Sequence, residues 1–175
     1  MKEIKHSNII HCYEFYETQN NFYLVLDYCE KGDLESYLHK LKVKYLKETE
    51  TIKVVRQILK AFVELWKYDI VHWDLKLSNI FIHKDKIIVG DFGMAKVGKK
   101  ISGSTVGTPL TMAPECMQGD CWDITKSDLW SIGVIMYTLL FGEVPFFGLS
   151  LNEVYHCICN NSGQNLKFPQ SPSIS

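Results

Sequence analysis

The sequence predicts an α+β fold: a mainly helical body with a small two-stranded sheet near its start. Three observations carry this reading. Residues 10–16 and 22–26 are β-like runs on either side of Thr18-Gln19-Asn20-Asn21, a hairpin pattern. Ile52, Val55, Leu59, Phe62, Val63 and Trp66 recur at the spacing of one helix face. Residues 129–142 are the most apolar stretch. They are too few to cross a bilayer, which takes about 20 residues, so they read as a buried core helix.

The other elements follow in order. Asp33 is placed to cap a helix carrying Leu34, Leu38 and Leu41. The long amphipathic helix starts near residue 50 and ends near Asp69. Ile70-Val71, Ile80-Phe81-Ile82 and Ile87-Ile88-Val89 are short β-like runs. Ser150-Leu151-Asn152-Glu153 has the spacing of a capping box and opens a helix through Cys157. Residues 171–175 read as a disordered tail.

With 175 residues, 46% hydrophobic and 22% charged, the chain has the balance of one globular unit with a real core. A net charge of -1 argues against nucleic acid or an anionic membrane surface as partner. The six cysteines contain no C-x-x-C pair and no zinc spacing, and no signal peptide precedes them. They are expected to be free, reduced thiols in an intracellular, cytoplasmic protein.

The chemistry concentrates in Ile70-Val71-His72-Trp73-Asp74-Leu75-Lys76-Leu77-Ser78-Asn79 and in Asp91-Phe92-Gly93. An Asp, a Lys and an Asn stand at 0, +2 and +5, and a second Asp follows two short apolar runs. Phosphoryl transfer uses such a set: a carboxylate to orient a hydroxyl, an ammonium for the moving phosphate, and oxygen ligands for Mg²⁺.

These motifs resemble the eukaryotic protein kinase family, whose catalytic loop reads H-R-D-L-x-x-x-N, with Trp73 here in place of the Arg. Further segments keep the family's order. Phe22–Cys29 resembles the fifth strand and hinge, and Gly107-Thr108-Pro109 through Ala113-Pro114-Glu115 the end of the activation segment. Ser127-Asp128-Leu129-Trp130 resembles the start of the central helix. The resemblance implies a protein-kinase-like fold, with residues 1–28 as small-lobe remnant and hinge and 29–170 as the large lobe. No Gly-rich loop and no Val-Ala-Ile-Lys strand occur in the 175 residues, so the domain is expected to be truncated at both ends.

The resemblance also implies roles. Asp74 is the catalytic base and Lys76 lies near the transferred phosphate; Lys at that position, with Gly107-Thr108-Pro109, indicates a Ser/Thr kinase. Asn79 and Asp91 would hold Mg²⁺. Leu26 is the gatekeeper, Asp27 and Cys29 offer backbone groups to the adenine of ATP, Asp33 reaches the ribose, and Leu34 and Phe81 form the lower wall. His72 and Phe92, with Met1 and Cys12, match a hydrophobic spine, and Asp128 anchors the catalytic loop. Ser104 and Thr105 occupy a phosphosite region, and Lys96 a position that helps hold such a phosphate. Trp73 offers one N–H and no charge, so control by that phosphate is expected to be weakened.

The implied function is ATP-dependent phosphoryl transfer to Ser or Thr of a protein substrate, impaired in this chain by the missing phosphate clamps. The alternatives are a pseudokinase-like interaction module and an unstable gene-model fragment. Within the family, Ser78-Asn79 and Asn165-Leu166-Lys167-Phe168-Pro169 resemble Unc-51-like, autophagy-initiating kinases.

Overall fold

The computed structural model describes residues 2–98, 107–119, 124–161, 166, 168 and 169. Met1, Ser104, Thr105, Asn165, Lys167 and the 171–175 tail lie outside them. The first elements are β1 (Cys12–Glu17) and β2 (Phe22–Leu26), an antiparallel hairpin. Its turn closes where the sequence places it, with the Thr18 N–H donating to the Asn21 carbonyl at 2.9 Å. β1 and β2 form a sheet of their own, and most of their large side chains, including Phe15, Phe22, Tyr23 and Leu24, are exposed.

Helix α1 (Leu34–Lys40) is capped by Asp33, whose carboxylate accepts from the Ser36 N–H at 2.8 Å. Helix α2 (Glu48–Lys67) forms where the spacing predicts it, but its buried seam is shifted: Val55, Ile58, Phe62 and Leu65 are buried, whereas Ile52 and Val63, expected on that face, are exposed. β3 (Ile70–Val71), β4 (Ile80–His83), β5 (Lys86–Val89) and β6 (Lys96–Val97) form two short antiparallel pairs, β3–β6 and β4–β5. The short helix α3 (Pro114–Met117) precedes α4 (Ile124–Phe141), and α5 (Leu151–Asn161) ends the described helices.

The main core lies between α2 and α4 and is closed by β4 and β5, with Ile58, Phe62 and Leu65 meeting Leu75, Ile80, Val89, Ile135 and Leu139. The apolar run at 129–142 is therefore a core helix: no helix among the described residues is long and apolar enough to cross a membrane. The cap of α5 departs from the expected box in one respect. Ser150 Oγ accepts from the Glu153 N–H, but the Glu153 carboxylate bonds the N–H of Leu149, one residue earlier.

One expectation fails. Cys116 is disulfide-bonded, whereas Cys12, Cys29, Cys157 and Cys159 are free. Spacing rules find metal and redox motifs along the chain. A disulfide needs only that the fold bring two Cα atoms within about 7 Å.

Phe62 is fully buried and its neighbour Val63 is 53% exposed. Phe62→Ala should cost about 3–5 kcal/mol in urea unfolding, and Val63→Ala less than about 0.5 kcal/mol. Equal effects would mean that α2 does not use this face as its core seam.

Candidate active site

The site starts from a buried acid. Asp128, on the first turns of the apolar helix α4, is almost fully buried. Its two carboxylate oxygens accept the backbone N–H of His72 at 3.0 Å and of Trp73 at 3.1 Å. Consecutive N–H groups pointing to one side need an unusual turn, and Trp73 adopts a left-handed φ of 65°. That conformation is rare for a bulky residue and persists only where the surroundings impose it. The His72 side chain points the other way. Its buried Nε2 donates to the Gly90 carbonyl at 2.8 Å, and its ring lies 4.9 Å from that of Phe92. Burial pushes the His72 pKa down, so the ring stays neutral with its proton on Nε2. Cys12 is buried, and Met1 lies outside the described residues.

This loop presents Asp74. Oδ1 accepts from Thr108 twice, from the hydroxyl at 2.7 Å and from the N–H at 2.9 Å. Oδ2 pairs with Lys76 Nζ at 3.0 Å. Lys76 also donates to the Thr108 hydroxyl at 3.1 Å. Partial burial alone would raise the Asp74 pKa, but the Thr108 and Lys76 contacts outweigh it and hold the carboxyl below its ordinary range. Asp74 is thus ionised at neutral pH, close to both a cation and an aliphatic hydroxyl.

Asn79 sits in the short helical turn Leu77–Asn79 and is buried. Its amide nitrogen donates to the Asp74 carbonyl at 2.8 Å and reaches the Asp74 carboxylate at 3.3 Å, which leaves its amide oxygen for another partner. The Asn79 carbonyl accepts from the Gly90 N–H at 3.0 Å, and this bond sets the start of the Asp91 turn beside it. Asp91 is exposed, has a left-handed φ of 55°, and accepts from the Gly93 N–H. Among the described residues, no group of three His, Cys, Asp or Glu could hold a metal.

Phe81 and Leu34, the predicted nucleotide wall, lie on β4 and at the start of α1. Phe81 bridges Asp33, and a Cβ on Gly90 would come within 2.9 Å of the Phe81 ring, so a side chain there would have to displace the ring. Leu34 is buried beneath, in the main core. In the hinge, the Asp27 N–H donates to the His11 carbonyl, while its carboxylate accepts from the His11 N–H and the Tyr13 hydroxyl. The Cys29 carbonyl accepts from the Gly32 N–H. Leu26 closes β2 and is exposed. The Asp33 carboxylate, expected at a ribose, already caps α1. Burial would raise its pKa, but the Ser36 bonds prevail and lower it.

Two contacts were not legible in advance. Gln57, on α2, accepts the Asn8 side-chain amide at 3.0 Å and the Ile87 N–H at 3.1 Å, and so ties β5 and the approach to Asp91 to the long helix. A lone Gln on a helix carries no signal for this. The second is Lys96, expected at a phosphate: its ammonium stands over the Trp73 ring, 4.6 Å from the centroid. Ser104 and Thr105, its expected neighbours, are outside the described residues.

A family model described as protein kinase domain matches residues 1–175. The chain is 37% identical over 172 residues to serine/threonine-protein kinase 33 of Bos taurus, covering 90% of this chain and 35% of that protein. It is 37% identical over 174 residues to the probable serine/threonine-protein kinase PLK of Dictyostelium discoideum, covering 98% of this chain and 17% of that one. Serine/threonine-protein kinase ULK1 of Homo sapiens is also 37% identical, over 158 residues, 83% of this chain and 15% of that protein. The chain spans between 15% and 35% of the length of these three relatives. Equal identity to three kinases favours no single branch.

Burial raises the Asp128 carboxyl to about 7, although the two backbone N–H groups pull it down. A carboxyl whose pKa rises on folding binds its proton more tightly in the folded chain. Its contribution to stability is complete below about pH 4 and is lost as pH rises through about 7. Against Asp128→Asn, which cannot titrate, the native chain should lose on the order of 4 kcal/mol across that range in urea unfolding. A constant difference would show that Asp128 stays ionised throughout.

Proposed function

The chain belongs to the protein kinase domain family, and from that premise we propose that its site moves the γ-phosphoryl group of ATP to Ser or Thr hydroxyls of protein substrates. The observation that carries the proposal is the ionised Asp74 carboxylate, with an aliphatic hydroxyl at 2.7 Å and the Lys76 ammonium at 3.0 Å. A substrate hydroxyl would make the same kind of bond as the Thr108 hydroxyl. Its oxygen forms the new bond to the γ-phosphorus, the bond to the β–γ bridging oxygen breaks, ADP leaves with that electron pair, and the hydroxyl proton passes to Asp74. Lys76 offsets the charge of the moving group.

The residues fit Mg²⁺. Asn79 has its amide nitrogen turned to Asp74 and its oxygen available, and Asp91 offers an exposed carboxylate, both hard oxygen donors. When bound, Mg²⁺ would neutralise charge on the phosphate oxygens. Adenine would lie on Phe81 over Leu34, behind Leu26. It would bond the Asp27 carbonyl and the Cys29 N–H, because the Asp27 N–H and the Cys29 carbonyl already serve the chain's own backbone. Residues 1–28 act as small lobe and hinge, and 29–170 as large lobe. Use of ATP places the protein inside the cell, where the Cys116 disulfide would meet a reducing thiol pool.

The 175 residues contain no Gly-rich loop and no strand Lys, so this polypeptide alone should transfer phosphate poorly. A non-catalytic interaction module is the second reading, favoured by the exposed aromatic faces of the β1–β2 hairpin. The test fuses the Gly-rich loop, strand Lys and helix Glu segment of a related kinase ahead of residue 2 and measures transfer from radiolabelled ATP. The fusion should phosphorylate a Ser/Thr protein substrate, and Asp74→Asn should reduce the rate by about 10²–10⁴-fold. A folded, ATP-binding fusion whose activity equals that of its Asp74→Asn variant would overturn the catalytic reading. Asp74-dependent transfer by the 175-residue chain alone would overturn the claim of impairment.

A further inference from the structure

Trp73 is the junction of the site through three separate contacts. Its N–H bonds Asp128 at 3.1 Å, which ties it to α4. Its carbonyl packs so closely on Gly107 that a Cβ there would approach to 2.7 Å, and Gly107 has a φ of 125°. The next residue, Thr108, then meets Asp74. The indole is 6% exposed and packs with Val71, Ala113 and Cys116, while Lys96 of β6 lies over its face. The first two contacts are made by backbone and would be open to many residues in this position. The third requires this side chain.

The ring cannot hold an anion. Its one donor, Nε1, is buried without a hydrogen-bond partner, and an indole has no charge. A cation above its face is attracted by the ring quadrupole. The cation in question belongs to the strand that leaves the Asp91-Phe92-Gly93 turn. β6 is only two residues long, paired to β3 through Ile70–Val97 and Val71–Lys96, and followed by one further bond from the Gly98 N–H to the Asp69 carbonyl at 2.8 Å. So short a ladder is marginal without side-chain support.

We infer that Trp73 and Lys96 form a latch that holds β6 against the catalytic loop without any phosphate, so that both ends of the Asp74 site are positioned by packing and cation–π attraction. Lys96 is a positioning residue: it acts through Trp73 and touches no reacting atom. The latch rests on the kinase reading for its purpose, but not for its existence.

Hydrogen exchange of the 175-residue chain, without nucleotide, tests it directly. Lys96 is exposed, so substitutions there leave the core intact. Lys96→Met keeps the stem and loses the charge. Amides of residues 96–98 should exchange about two- to fivefold faster in that variant, while those of α2 stay unchanged. Lys96→Arg keeps a cation for the ring and should restore the native rate. Phosphatase treatment of the native chain should change nothing at 96–98. Native exchange in Lys96→Met, failure of Lys96→Arg to rescue, or loss of protection after phosphatase would each overturn the latch. An inactive kinase fusion with protected 96–98 amides would sink the catalytic reading and leave the latch standing.

Discussion

The site depends on one buried carboxylate gripping two adjacent backbone N–H groups. Asp128 stands on an apolar helix packed into the core, and its bonds to His72 and Trp73 transmit the position of that helix to the loop. Burying an acid is costly, and here the cost is partly offset by donors that would otherwise be orphaned themselves. The grip also explains the left-handed turn at Trp73. Without an acceptor on the far side, a bulky residue would relax to an ordinary φ, and Asp74 would point elsewhere. Geometry at Asp74 is therefore a property of α4 as much as of the loop.

A second line of support comes from α2. Gln57 and Asn8 clamp β5, β5 leads to Gly90, and Gly90 is held from both sides, by His72 through its carbonyl and by Asn79 through its N–H. The two long helices thus bracket the two acidic positions: α4 sets Asp74, and α2, through β5, sets Asp91. None of these supports touches a reacting atom, and all of them are buried or partly buried polar bonds. In such surroundings a misplaced partner is costly, which gives the arrangement one well-defined geometry.

What could be read in the sequence divides along physical lines. Asp74, Lys76, Asn79 and Asp91 stand out because phosphoryl chemistry admits few residue types at such positions, and their spacing is local. Helix α2 stands out because a 3.6-residue period leaves a repeating mark, although Ile58 and Leu65, rather than Ile52 and Val63, complete its buried seam with Val55 and Phe62. The Asp33 cap was legible because cap and donor lie three residues apart, the Asp33 carboxylate accepting from the Ser36 N–H. Gln57 and the Lys96–Trp73 contact were not. Both depend on segments that meet in space, and a single Gln or Lys has the same look whether or not it has such a partner. Lys96 is expected near a phosphate, and in the structure its ammonium stands over the Trp73 ring.

The β1–β2 hairpin carries a consequence for how the molecule comes apart. Among the described residues it pairs only with itself, its aromatic faces meet water, and it joins the body through a few bonds around Ile9, Ile10 and Asp27. Its opening free energy is therefore set by local terms and lies far below that of the core. Unfolding is therefore expected in at least two steps, with a melting temperature read from helical signal describing the body alone. Proteolysis would begin at Thr18–Asn21 while the acidic residues around Asp74 were still in place.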